Sequence, residues 1–157
     1  MNSPMKPRTP DLRGKVREIF QRAAFIEDLG IRLKDLGEGW CESVLEIAPK
    51  HRQQDGYVHA GVQAAMADHT AGGAAGTLAG EGDLVLTVEF KINFLRPARG
   101  EHLRCRAVDL RQGRTLHVAE SEVYAQRDGN EKLVAKAMVT LALVPAATIR
   151  SDDGRET

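Results

Sequence analysis

His59 to Gly80, HAGVQAAMADHTAGGAAGTLAG, is the stretch that decides the fold. Between Ala60 and Gly80 it holds eight alanines and five glycines in 21 residues. Alanine favours helix, yet each interior glycine (Gly72, Gly73, Gly76) costs about 1 kcal/mol relative to alanine. A helix that carries roughly 3 kcal/mol of such penalties is expected where other backbone must come close. Either a sheet wraps it or a copy of itself packs on it. The alternative, a flexible Gly-Ala linker, is opposed by Val62, Met66 and a start compatible with capping.

Downstream of Gly80-Glu81-Gly82 come four strand-like runs. Leu86, Val88, Phe90, Ile92 and Phe94 alternate with Thr87, Glu89, Lys91 and Asn93, which places Thr87 on the polar face. Pro97 and Gly100 break the chain before Leu103, Cys105 and Ala107, which alternate with His102, Arg104 and Arg106. Gln112-Gly113 turns into Thr115–Gln126, whose apolar phase wavers near Val118 and Ala119, the mark of a bulge. Asp128-Gly129 predicts a tight hairpin. The last run carries Leu133, Ala135, Ala137, Val139, Leu141 and Leu143 on one face.

Upstream, Leu12, Val16, Ile19, Phe20 and Ala23 have helical spacing, with Asp11 as cap and Gly30 as terminator. A hairpin follows: Ile31–Leu36, a turn at Gly37-Glu38-Gly39, then Trp40–Ala48 with Cys41, Ser43, Leu45 and Ile47 on one face. An antiparallel sheet must cover one face, and the small-residue helix is the available cover. The fold class is α+β. Residues 1–10, with three prolines, are expected to be a flexible lead, 11–145 a single domain, and 146–157 a disordered polar tail.

The whole chain has 157 residues, enough for one core. Lys plus Arg and Asp plus Glu number 22 each, so no net field argues for nucleic acid or an acidic membrane surface. That balance is permissive for self-association. Cys41 and Cys105 form no C-x-x-C pair, which argues for two reduced, packed thiols and against a metal or redox site. No stretch approaches the roughly 18 apolar residues of a membrane helix, and no signal-length apolar run opens the chain. A cytoplasmic setting is the expectation.

At Gln53-x-x-Gly56-x-x-His59-Ala60-Gly61, with Asp68 nine residues after the histidine, the sequence resembles the phenylacetic-acid-type thioesterases of the hotdog superfamily. The similarity runs on through Leu86–Ala98, Gly100, Gly113-Arg114 and Val134–Ala137, and covers roughly residues 40–144. The resemblance implies a hotdog fold: a sheet of five to six strands around one long helix, here with an extra N-terminal helix. It also implies homodimers joined edge to edge, often paired into tetramers, and hydrolysis of acyl-CoA, with an aromatic or medium-chain acyl group expected, without metal or cofactor. By the resemblance, the catalytic carboxylate falls on Asp68 and the backbone donor on Ala60 or Gly61. The polar residue before the histidine is Gln53, and a strand hydroxyl falls on Thr87, a substrate-binding candidate despite its polar-face position. His59 would position the site or shape its oxyanion pocket. The common His-Gly-Gly reads His-Ala-Gly here, which keeps the amide N–H, since only proline lacks one.

Thioester hydrolysis needs a base or nucleophile and donors for charge growing on the carbonyl oxygen. Amides at a helix start are unsatisfied and sit at the positive end of its dipole. Such a donor can be worth about 3–4 kcal/mol in the transition state. Asp68 would be general base or nucleophile. Gly61 and Asp68, seven residues apart, lie about 10.5 Å apart along one helix. The reacting groups must meet at around 3 Å. One helix therefore cannot supply both, whereas two antiparallel copies across a two-fold axis can. Ala64, Ala65, Ala71 and Gly72 leave space beside the carboxylate. Among the arginines that could take the CoA phosphates, Arg96 and Arg114, next to turns, are best placed. His69 falls on a different helical face and is expected to be structural or exposed.

Two other readings stay open: a hotdog hydratase or dehydratase using His59 and Asp68 as acid and base, and a non-catalytic acyl-CoA binding protein. Sensors of this fold carry a DNA-binding domain, and the first 30 residues hold one helix, too little for such a unit.

Overall fold

The computed structural model describes residues 11–150. The lead 1–10 and the tail beyond 150 lie outside the described residues. Helix α1, Leu12–Arg22, starts where the Gly14 amide donates to Asp11 Oδ1 at 2.8 Å. It ends at Ala23, whose ψ of 90° is extended, and α2, Ala24–Leu29, then runs to Gly30. The spacing predicts one helix here, and the structure has two. At 100° per residue, Ile26 would face about 120° away from Phe20 in a continuous helix. The break turns it inward, so that Val16, Phe20 and Ile26 are all buried.

The strands are β1 (Arg32–Gly37), β2 (Trp40–Glu46), β3 (Asp83–Phe94), β4 (His102–Gln112), β5 (Leu116–Arg127) and β6 (Asn130–Pro145). They form one antiparallel sheet in the order β1-β2-β4-β5-β6-β3. Helix α3, Ala60–Gly76, packs against every strand from β2 to β6. This is the sheet-around-a-helix arrangement of the hotdog fold. Residues Ala146–Arg150 form a short helix, α4, where a disordered tail is predicted. It is anchored at its start by the Ala146 amide on the Gly82 carbonyl, 3.0 Å.

The small residues of α3 are explained by what approaches them. Ala67, Ala71, Ala74 and Ala75 are fully buried, so Ala71 packs into the core rather than opening onto the Asp68 side. A Cβ on Gly73 would sit 2.7 Å from Cys41 Sγ of β2, and one on Gly76 3.2 Å from Ile19 Cδ1 of α1. Overpacking of that kind costs about 1–3 kcal/mol. Gly72 has no neighbour within 4 Å of such a Cβ. Polar ties fix the helix in the core. Thr70 Oγ1 donates to the Met66 carbonyl and accepts from Ser43 Oγ of β2, both at 2.6 Å. Ser121 Oγ of β5 donates to the Ala67 carbonyl at 2.7 Å. Burial pushes the thiols of Cys41 and Cys105 up to about 12, which leaves them protonated and inert.

The Asp128-Gly129 turn forms with φ of 50° and 74°, the geometry of a two-residue hairpin. The wavering phase at Val118 and Ala119 does mark a bulge, but the extra residue is Leu110, on the facing strand β4. A second bulge changes the site. β3 shifts register against β6 between Thr87 and Glu89, so Val88 is an extra residue. Residues directly opposite share a face. Thr87 lies opposite the buried Leu141, and Phe90 opposite the buried Val139. Val85 and Thr87 therefore face α3, as do Phe90, Ile92 and Phe94 beyond the bulge. The polar-face placement of Thr87 is overturned. Strand β3 is also an edge, and Leu84, Leu86, Val88, Phe90 and Phe94 along it are exposed.

Candidate active site

The start of α3 is built by its own cap. His59, at φ −59° and ψ 140°, accepts the Gly61 amide on Nδ1 at 2.8 Å. A ring that accepts at Nδ1 carries its proton on Nε2 when neutral. The amides of Val62 and Gln63 both reach the His59 carbonyl. That leaves Ala60 N–H, at the first helical position, without a partner among the described residues, and Ala60 is exposed. Of the two candidate donors, Gly61 is occupied by the cap and Ala60 is free. Gln53 folds back on its own turn: its Oε1 accepts the Asp55 amide and, at 3.4 Å, that of Tyr57.

Two turns along the helix, Asp68 is half-buried and accepts a hydrogen bond from Thr87 Oγ1 at 2.7 Å. Burial pushes its carboxyl above the ordinary aspartate range, and the Thr87 bond pulls the other way without prevailing. The pair sits in an open groove of about 720 Å³ between α1, α3 and β3. His69 lines the groove too, its ring against Phe20 at 4.5 Å. Burial lowers its pKa to about 4, so the ring is neutral at pH 7. His69 therefore shares the groove with Asp68 rather than facing away from it, which corrects the sequence expectation.

Arg96 and Arg114 do not come together. Arg96 donates to the Leu133 carbonyl at 3.0 Å and lies at the end of the sheet where the Val58 amide, just ahead of α3, meets the Ala98 carbonyl. There Arg99, Arg127 and Lys132 share a second cavity of about 640 Å³ with it. Arg114 lies in the β4–β5 turn at the opposite end, which also holds the Gly39 amide on Thr77 Oγ1 at the C-terminus of α3. Among the described residues, no cluster of three or more His, Cys, Asp or Glu side chains could hold a metal, and no helix is long and apolar enough to cross a membrane.

A family model described as the Thioesterase superfamily matches residues 55–132. The crystal structure of a thioesterase family protein from Silicibacter pomeroyi is 40% identical, covers 85% of this chain and 98% of that one, and superposes with a TM-score of 0.84. The chain belongs to the thioesterase superfamily. It is a thioester hydrolase. A 1,4-dihydroxy-2-naphthoyl-CoA hydrolase of Listeria monocytogenes is 26% identical over 117 residues, 74% of this chain and 93% of the relative. The E. coli PaaI protein of the phenylacetic acid degradation operon, at 20% identity, shares the fold with a TM-score of 0.76, covering 85% of this thioesterase and 94% of its own chain.

The contribution of α1 to the groove is invisible to motif spacing. Lys15, Glu18, Ile19 and Arg22 of this thioesterase all line it, although in sequence they read only as one flank of an ordinary helix. The inward turn of Thr87 left a faint trace. Leu84, Val85, Leu86 and Val88 are apolar in both phases of a strand, which alternation alone cannot resolve.

Proposed function

We propose that this thioesterase hydrolyses acyl-CoA thioesters to free acid and CoA, at sites each built by two copies of the chain. The observation that carries the reading is the separation of its two reactive features. Asp68 is held by Thr87 in the groove, while the free amide of Ala60 lies eight residues, about 12 Å, along the same helix. No single thioester carbonyl can touch both from one chain. Antiparallel pairing of two α3 helices brings Ala60 of one beside Asp68 of the other, with the half-buried Ala64 and Ala65 at the crossing. The exposed, apolar edge of β3 supports the same pairing, because an unpaired edge of 12 residues is a template for another strand.

In this reading Ala60 N–H, at the positive end of the helix, holds the developing oxyanion. His59 fixes the helix tip through Gly61, and Gln53 shapes the preceding turn. Thr87 orients Asp68 by holding Oδ1, which leaves Oδ2 for a water molecule or for direct attack on the thioester. Arg96, Arg99, Arg127 and Lys132 outnumber Asp128 and Glu131 around their cavity and are the candidates for the CoA phosphates, with Arg114 at the opposite end of the sheet. No metal or cofactor has a part, and the dimers pair further into dimers of dimers.

A panel of acyl-CoAs with a thiol-trapping reagent tests the reaction. Free CoA should be released by at least one member, whereas water addition to enoyl-CoA without thiol release would make the chain a hydratase, and binding without turnover a sensor. The same assay over pH tests Thr87. Both uses of Asp68 need the carboxylate, and the Thr87 bond lowers its pKa. In Thr87→Val that bond is lost, so the acid limb of kcat/KM should move to higher pH. An unmoved limb, or one that moves to lower pH, would detach Thr87 from the reaction.

A further inference from the structure

The last carbonyls of a helix have no partner inside it. At the end of α2 the amides of Gly30 and Ile31 take those of Glu27 and Ile26. The carbonyls of Asp28 and Leu29 are met by side chains from beyond β2: Lys50 Nζ donates to the first and His51 to the second. Lys50 reaches across the surface, whereas His51 is only 2% exposed. The Ala48 amide donates to His51 Nδ1 at 2.9 Å, so the ring proton sits on Nε2, which donates to the Leu29 carbonyl at 2.7 Å. One ring nitrogen is thus committed to its own turn and the other to α2.

The backbone of His51 carries this anchorage to the site. Its carbonyl accepts the His59 amide at 2.8 Å, and Arg52 and Val58 face each other beside it as an antiparallel bridge. These bonds close a small hairpin whose turn carries Gln53 and whose second arm ends at His59, the cap of α3. The same arm is tied to the sheet end by the Val58 amide on the Ala98 carbonyl, at 3.0 Å. Ala60 N–H comes directly after this arm. The hairpin therefore sets the direction of that amide, and His51 holds the hairpin to the N-terminal helices.

We infer that His51 is a positioning residue for the hydrolysis: by tying the end of α2 to the turn before α3, it aims the Ala60 amide. This rests on the proposed oxyanion role of Ala60 N–H and names what holds that donor in place. A misplacement of about 1 Å in a catalytic group can cost about 10²-fold in rate. The loss falls on kcat rather than KM, because the donor is engaged in the transition state.

The test uses variants that each keep the place of one ring nitrogen. Glutamine reaches as far as Nε2 and can hold the Leu29 carbonyl, whereas asparagine reaches only as far as Nδ1 and can serve Ala48 alone. CoA release is measured on propionyl-, octanoyl- and phenylacetyl-CoA, and the one that wild type cleaves fastest is followed in every variant. His51→Asn should lose about 10- to 100-fold in kcat, with KM within about threefold of wild type. His51→Gln should bring kcat back to within about threefold of wild type. In an Ala60→Pro background, His51→Asn should change kcat by less than about twofold, because the donor it aims is already gone. Melting curves fix an assay temperature at which the variants are folded, and His51→Leu, similar in size, makes the same comparison if His51→Asn does not fold. An equal loss of kcat in both backgrounds would make His51 a structural residue only and overturn the assignment. A wild-type kcat in folded His51→Asn, or a loss confined to KM, would overturn it too. If Ala60→Pro alone keeps the wild-type kcat, or wild type cleaves none of the thioesters, the reading of the site beneath has failed and this assignment falls with it.

Discussion

Asp68→Asn lowers kcat for thioester hydrolysis by roughly 10²–10⁴-fold, the range a positioned base carries, and stabilises the protein at pH 7. Both effects come from one feature. Asp68 is half-buried, and burial outweighs its bond to Thr87, so the folded chain holds the carboxylate at a cost. The sign follows from linkage. A carboxyl with a raised folded pKa is neutral in both states well below the unfolded value, where it costs nothing. The penalty grows as pH rises through the two pKa values. The asparagine variant should therefore melt with wild type at acidic pH and above it at neutral pH. An active Asp68→Asn protein, or one less stable than wild type at pH 7, would contradict this account of the site.

Ala60→Pro should be nearly as damaging and structurally quieter. Proline removes the N–H, and Ala60 N–H has no partner among the described residues to lose. The first helical position is where proline is best tolerated. A residue before proline must be extended, and His59 already is, at ψ 140°. The fold should survive while kcat falls by about 10²–10³-fold, as for loss of one oxyanion donor. Gly61→Ala is the contrast. An alanine Cβ there would press on His59 Nδ1 at 3.0 Å and shift the capping ring, yet the Ala60 N–H is untouched, so the variant keeps that donor. A wild-type rate from folded Ala60→Pro would remove the amide from the mechanism.

The sequence carries the scaffold of this site better than its inner wall. Helix α3, the Asp128-Gly129 hairpin and the strand runs are legible because each is a local pattern: small residues at helical length, a turn pair that accepts positive φ, period-two alternation. The motif residues fall where their spacing puts them, at the tip and one side of α3. What stays hidden depends on partners far along the chain. The Val88 bulge turns Thr87 towards Asp68, yet Leu84–Val88 has apolar residues in both phases. The break at Ala23 follows from where Ile26 must pack rather than from any helix-breaking residue. The choice of Ala60 over Gly61 as the free amide depends on the cap that His59 makes. That cap is a rotamer, and no residue type announces it.

Mixing the two inactive variants tests the two-chain site most directly. Asp68→Asn and Ala60→Pro proteins are denatured together, refolded as an equal mixture and assayed for CoA release. If each site joins the carboxylate of one copy to the helix tip of the other, a mixed dimer has one intact site and one doubly defective site. Random pairing makes half of the dimers mixed, so activity should return to about a quarter of wild type. A mixture no more active than its components would mean that both groups serve from one chain, and the shared site would be refuted.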